Sequence, residues 1–525
     1  MKKLTALFLA LALFLCACAS QDAAAPTEAS GLIDSTEATE ASEEPQETPQ
    51  KKDAAEGFGL SYLPEYGLNP FECRATVNRA LLSLLYQSLF AVNNQFRAEP
   101  VLCESYKMYN EGRSYVFTID PTAKFSDGSP VTAADVEASI EAGRTCGFYM
   151  ERLSHIDYYV VQEDGTLLIH VDTPFENLPL MLDVPVVKAS TIKNPFPIGS
   201  GPYVIAGQSL VHSKHWNGVA APAIDLDKIY LSSCKTSGDL RDDFEFGSTD
   251  LIYCDPNSPA SVGYRCDYEV WEAPTTVLHY IGFNLYSGYF ANDTLRRAVS
   301  SAIDREDIAS KIYGGFALPS ALPCSPYSDL YDPKLAETYS FSPVKYSQGL
   351  KDSRVLVSEE YEYHEGIFLV CSDDPTRVEA AEYIAQVLND SGLRIVVSAV
   401  DHDTYMKKLD KGDFDLYYGE TRMTANFDLT EFFSKYGNLM YGSIKDSALV
   451  DLCYDAMENT GKYVDLSARV MDQAPICPVV FKSYAIYVTR GKLVNITPSV
   501  DNVFHNAASA RSLADADKTY EGDDE

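Results

Sequence analysis

The chain has 525 residues, 46% of them hydrophobic, and a formal charge of −34 at neutral pH. Its length exceeds what one hydrophobic core organises, so about three domain-sized units are expected. The acidity excludes a nucleic-acid face, which needs Lys and Arg gathered on one side, and a broad docking face on anionic lipid; it is read as a solubility device.

Lys2 and Lys3 precede an apolar run from Leu4 to Leu15, the form of a secretory signal and too short for a permanent membrane helix. Leu15-Cys16-Ala17-Cys18 resembles the lipobox cut by the bacterial lipoprotein signal peptidase. Small Ala17 ahead of Cys18 suits that cleavage better than Leu15 ahead of Cys16, so the signal peptide is expected at 1–17 and the lipidated terminus at Cys18. The alternative is an ordinary cleaved signal with incidental cysteines. Residues 18–56 are Ala, Thr, Ser, Pro and Glu with almost no large apolar side chains, which predicts a disordered acidic tether.

Beyond the tether, Gly57 to Leu63 reads as a first strand, and Val77 to Phe90 carries Ala80, Leu81, Leu84, Leu85 and Leu89 at helical spacing. Tyr115, Phe117 and Ile119 alternate as a half-buried strand. Ser126-Asp127-Gly128-Ser129-Pro130 breaks it. Thr132 is placed to accept from the first-turn amides of a following helix, with Asp135 reaching back to the Thr132 amide, and Val136 and Ile140 form the apolar face. Thr276 to Asn284 predicts a crossing strand. Leu295, Val299 and Ile303 form a helix stripe, and Asp304 with Asp307 caps a second helix that Gly314-Gly315 stops. Glu379 to Ser391 is an amphipathic helix with Ala380, Ile384, Val387 and Leu388 inward, and Arg394 to Val400 a strand. Tyr405 to Leu409 and Phe414 to Tyr418 repeat helix then strand, which favours parallel pairing. Pro478 to Val488 is a last apolar run, and the tail 511–525 is acidic.

Chemistry-bearing motifs are sparse. Gly-x-Ser-x-Gly, His-Glu-x-x-His and the P-loop pattern do not occur, so no catalytic residue, cofactor or enzyme activity is expected. Gly199-Ser200-Gly201 lacks the Lys of a phosphate loop and reads as a tightly packed turn. His212-x-x-His215 surrounds Lys214 without a third ligand, and Asp401-His402-Asp403 reads as a solvated loop after a strand, so no metal site is assigned. Ten cysteines remain after Cys16 and Cys18 without any Cys-x-x-Cys; pairing and buried free thiols are both open readings.

The order Tyr115-x-Phe117-x-Ile119, then Lys124-Phe125-x-Asp127-Gly128-x-Pro130-Val131-Thr132-Ala133-x-Asp135-Val136, closely resembles the signature segment of the extracellular solute-binding proteins of family 5, the peptide- and nickel-binding receptors of ABC importers. Further matches are Leu85 to Phe90, Gly199-Ser200-Gly201-Pro202-Tyr203, Gly247 to Ile252, and Leu295 to Glu306, which resembles the family's Val-Arg-x-Ala-x-x-x-Ala-Ile-Asp-Arg-Glu. The resemblance spans roughly 58 to 508.

What it implies is an α/β, two-lobed periplasmic-binding-protein-like fold of type II with a small insert domain. Lobe 1 would comprise 57–75, 186–275 and 489–510, the insert 76–185, and lobe 2 276–488. The function implied is a substrate-binding lipoprotein that captures a peptide or similar solute and delivers it to ABC permease subunits, as an extracytoplasmic monomer anchored to the bacterial cell membrane. A surface sensor or adhesion lipoprotein with the same fold is the alternative. Peptide-binding members carry Ala-Asp-Tyr-x-Asp-Pro near Glu420 to Phe433, its first Asp pairing with a peptide amine. Here Asn426 lies nearest that Asp and Leu429 replaces the Pro, so the charge partner is missing unless Asp428 substitutes. Candidate cleft residues are Tyr253, Trp271, Thr276, Arg422, Asn426 and Asp428. Trp271 reads equally as core, and Arg422 as a surface ion pair or as a planar fork for a carboxylate or phosphate.

Overall fold

The computed structural model describes residues 57–505 apart from 223, 259–262, 287, 360–363, 443–445 and 494–495. The expected signal peptide, Cys18, the tether and the acidic tail lie outside the described residues.

Two long strands, Tyr268–Phe283 and Ile476–Thr489, pair antiparallel at the middle of an eleven-stranded mixed sheet. Both are longer than their apolar runs suggested, and Ile476–Thr489 is buried almost throughout, as a strand covered on both faces requires. Beyond one side of the pair lie Leu251–Cys254, Phe58–Tyr62 and Lys228–Ser233, mutually parallel; beyond the other lie Leu416–Arg422, Gly366–Cys371 and Ile395–Val400, again parallel. The two sets run toward each other. Cys254 pairs with Ala485, opposite Glu272, and Arg422 pairs with Val277, so both sets end against the segment between Glu272 and Val277. The crossing pair slips register there, between Pro274 and Leu278.

The insert is a four-stranded antiparallel sheet in the order Cys103–Tyr109, Ser114–Ile119, Leu167–Val171, Ile156–Val161. Tyr115 and Phe117 face its core, and the helix Ala133–Arg144 packs Val136 and Ile140 there. Asp135 accepts from the Thr132 amide at 3.0 Å as expected. The Thr132 hydroxyl donates to Asp135 at 2.7 Å rather than accepting from the first turn. The second Asp135 oxygen is thereby free to accept from the Ala189 amide, which fastens the helix to the returning chain.

One expectation fails. The stretch 77–90 is not a single helix but two short ones, Thr76–Arg79 and Leu82–Leu85, followed by the strand Phe90–Val92. The Leu85 carbonyl accepts from the Gly201 amide at 3.0 Å, and the Gln87 carbonyl from Val186 at 2.8 Å. These long-range partners replace the next helical turn. Gly199 and Gly201 press so closely that an added Cβ would lie 2.1 Å from the Leu85 oxygen and 2.4 Å from its carbonyl carbon, respectively. All ten described cysteines are free thiols.

Candidate functional site

Strand C-terminal ends are where open α/β sheets present backbone and loop side chains to a ligand. Three such ends meet here: the turn after Leu251–Cys254, the turn leading from Cys371 into the helix Pro375–Asp390, and the loop after Leu416–Arg422. Met423 donates from its backbone to the Thr276 carbonyl at 3.0 Å, and Thr376 reaches the Asn257 carbonyl at 3.4 Å, so the opposed walls touch.

A buried polar chain runs through this junction. Lys482, 4% exposed, donates to Asp255 at 2.5 Å and lies 3.7 Å from Glu420. Glu420 also sits 2.7 Å from His279 Nε2, while His279 Nδ1 is 2.5 Å from the Tyr313 hydroxyl, itself 3.1 Å from that of Tyr418. Burial opposes the charge on Glu420, but Arg377, Lys482 and His279 outweigh it and hold the carboxyl well below its usual range. Burial also opposes the Lys482 charge, and Glu420, Asp255 and Asp374 overcome it, raising the ammonium's pKa. For fully enclosed His279 burial wins and its pKa falls despite Glu420. The contact with Glu420 is therefore a hydrogen bond from a neutral imidazole rather than an ion pair. With Glu420 ionised, Nε2 carries the proton and Nδ1 accepts from Tyr313.

The residues nominated from sequence divide between two places. Tyr253 is buried against Tyr484, ring centroids 5.4 Å apart, and Trp271 packs against the same core cluster. Thr276 lies within the register slip. Arg422 faces Asp501, with Nη1 3.1 Å from Oδ1. Asn426 and Asp428 turn away toward the insert. Asn426 accepts from Thr424 at 2.6 Å; Asp428 caps Thr430 at 2.9 Å and lies 3.7 Å from His155 Nε2. Both line a hollow of about 20 Å³ with Phe175, Asn177, Cys453 and Tyr463, room for about one water. Around it, Phe427 packs edge-on against Phe96 of the insert at 4.9 Å and against Phe481 of the crossing pair at 5.5 Å. Admission of a solute here requires the walls to part.

Sequence reasoning passed over Asp255, His279, Glu420, Lys482, Arg79, Arg152 and Asp501. A signal existed for two of them. His279 and Lys482 are polar interruptions of apolar strands, and a buried charge demands a partner. His212 ends the strand Ser209–His212 and His215 follows in a turn. Asp401 is no open loop residue but the cap of the helix His402–Lys411, accepting from the Thr404 amide at 3.0 Å.

The model for the bacterial extracellular solute-binding proteins, family 5 Middle, matches residues 97–438. The chain belongs to that family. Receptors of this family serve ABC importers, and this chain is one of them. The glutathione-binding protein GsiB of Salmonella typhi is 22% identical over 373 residues, 67% of this chain and 70% of that protein. Among solved structures, the ABC transporter substrate-binding protein CtaP of Listeria monocytogenes superposes with a TM-score of 0.68 at 17% identity, covering 87% of this chain and 99% of that one. The putative peptide-binding protein AppA of Clostridium difficile gives 0.67 at 15% identity, covering 86% and 100%. These likenesses establish the fold, a type II periplasmic-binding-protein architecture with a mixed sheet.

Proposed function

We propose that this family 5 receptor captures a peptide or a similar small solute, of the size of the glutathione named for its relatives, between the two halves of the sheet and passes it to a membrane permease. The observation that supports this reading is the convergence of both parallel strand sets on the Glu272–Val277 segment, with the insert reaching across to Phe427. Lobe 1 is assigned to 57–75, 186–275 and 489–510, the insert to 76–185 and lobe 2 to 276–488. Solute that touches both walls favours the closed arrangement only by its differential affinity for closed over open. The Leu15-to-Cys18 segment supports an extracytoplasmic protein held to the membrane through Cys18, and the receptor is assigned as a monomer. No helix among the described residues is long and apolar enough to cross a membrane.

Native mass spectrometry of the full chain, before and after mild denaturation, tests the reading together with titration calorimetry using glutathione and trialanine. A released solute mass, or saturable binding of either peptide, is expected. A folded protein that releases nothing and binds neither these peptides nor any member of a wider solute panel would overturn it.

A further inference from the structure

Arg79, Arg152 and Arg422 gather on one aromatic ring, with their guanidinium carbons 3.2, 5.1 and 5.4 Å from the centroid of Phe148. Arg79 lies on the short helix Thr76–Arg79 and Arg152 on the turn Glu151–Leu153, both within 76–185, and Arg422 at the cleft end of Leu416–Arg422. Guanidinium groups do not discharge in a protein, so a buried cluster of three needs anions. Asp183 accepts from Arg152 Nη1 at 2.6 Å. Asp501 answers the rest, its Oδ2 accepting from Arg152 Nη2 at 2.7 Å and its Oδ1 from Arg422 Nη1 at 3.1 Å.

Asp501 lies on the last described segment. Val503 and Phe504 anchor that segment in the core around Phe58–Tyr62, while Val500 joins the core shared by the insert and the far half of the sheet. The Asp501 backbone sits at φ +59°, a region sparsely used by residues other than glycine. Asp501 thus offers its two carboxylate oxygens to Arg152 of the insert and Arg422 of the far half of the sheet, the pair of contacts a solute carboxylate would make in its place.

We propose that Arg152 and Arg422 form the subsite for a carboxylate of the solute, and that Asp501 occupies it as an internal stand-in which that carboxylate displaces. This rests on the receptor reading above. Two parallel guanidinium contacts select a planar carboxylate over a spherical halide.

The test uses the full chain with Asp501→Asn, close to isosteric, and Asp501→Asn/Arg422→Gln, melted in potassium acetate and in potassium chloride of equal ionic strength. Acetate is expected to raise the melting temperature of the single variant by several degrees over chloride, to do less for the wild type, and to lose its effect in the double variant. Trialanine should bind the single variant about tenfold or more tighter than the wild type, and its C-terminal amide should show no gain. Acetate and chloride acting alike on Asp501→Asn, or acetate acting equally on the double variant, would overturn the proposal. If Asp501→Asn does not fold, hydrogen–deuterium exchange of the wild type decides: faster exchange over 496–505 in acetate than in chloride supports displacement, and unchanged exchange refutes it. An acetate response without any captured solute would sink the receptor reading and leave the subsite; a captured peptide indifferent to Asp501 would do the reverse.

Discussion

The Lys482 ammonium lies 2.5 Å from Asp255 and 3.7 Å from Glu420, so one side chain on a crossing strand ties the end of Leu251–Cys254 to the end of Leu416–Arg422. The two carboxylates belong to opposite halves of the sheet. The bond therefore works as a fastening between the cleft walls as well as a charge balance within the core.

Removing that cation leaves Asp255 without its ion-pair partner and Glu420 with Arg377 and the neutral His279 alone. Lys482→Met should lower unfolding stability by about 3–5 kcal/mol, the usual result of breaking a buried pair from one side, measured by urea denaturation with unchanged cooperativity. A loss below about 1 kcal/mol would show that Arg377 and His279 suffice for Glu420 and that the fastening is dispensable.

His155 couples acidity to the contact between the insert and the Asp428 loop. Its ring lies 3.2 Å from Asp172 and 3.7 Å from Asp428. Burial opposes its charge, but those carboxylates overcome it, so the folded pKa lies above the unfolded value of 6.5. Such a group lends its stability in full below about 6.5 and loses it as pH rises through the folded pKa. Urea midpoints measured from pH about 5.5 to 8 should fall with rising pH more steeply in the wild type than in His155→Gln. Parallel profiles would exclude His155 as the source.

Gly201→Ala should destabilise by about 1–3 kcal/mol or more, because its Cβ would lie 2.4 Å from the Leu85 carbonyl carbon and 2.6 Å from the Leu84 oxygen. Gly263→Ala meets nothing within 4 Å and should stay within about 0.5 kcal/mol of the parent. Thermal melts of the two variants side by side give the comparison, and equal melting temperatures would refute the packing account.

Phe427 is fully buried between Phe96 and Phe481. Phe427→Ala should cost about 3–5 kcal/mol and speed hydrogen–deuterium exchange in the insert around Phe96 as well as in its own loop. Faster exchange confined to 424–430 would mean that the insert does not depend on this ring for its seat.

Features that repeat over a few residues were legible in the chain alone. Tyr115 and Phe117 alternate into one core, the helix Pro375–Asp390 keeps Ala380, Ile384 and Leu388 inward, and the apolar run Pro478 to Val488 lies in a buried strand, because backbone period and side-chain burial are local consequences of the same geometry. The family was legible for a related reason, since its motifs are contiguous strings. Tertiary structure decided the rest. The helix expected over 77–90 breaks because the Gly201 amide competes for the Leu85 carbonyl, and no periodicity within 77–90 encodes that distant donor. Lys482 finds Asp255 227 residues away, and Arg422 finds Asp501 79 residues away. Those pairings exist only because two parallel strand sets, one on each side of the crossing pair, point their C-terminal ends at one register slip in it. Strand direction and register are properties of the assembled sheet, and so are the charges that meet there.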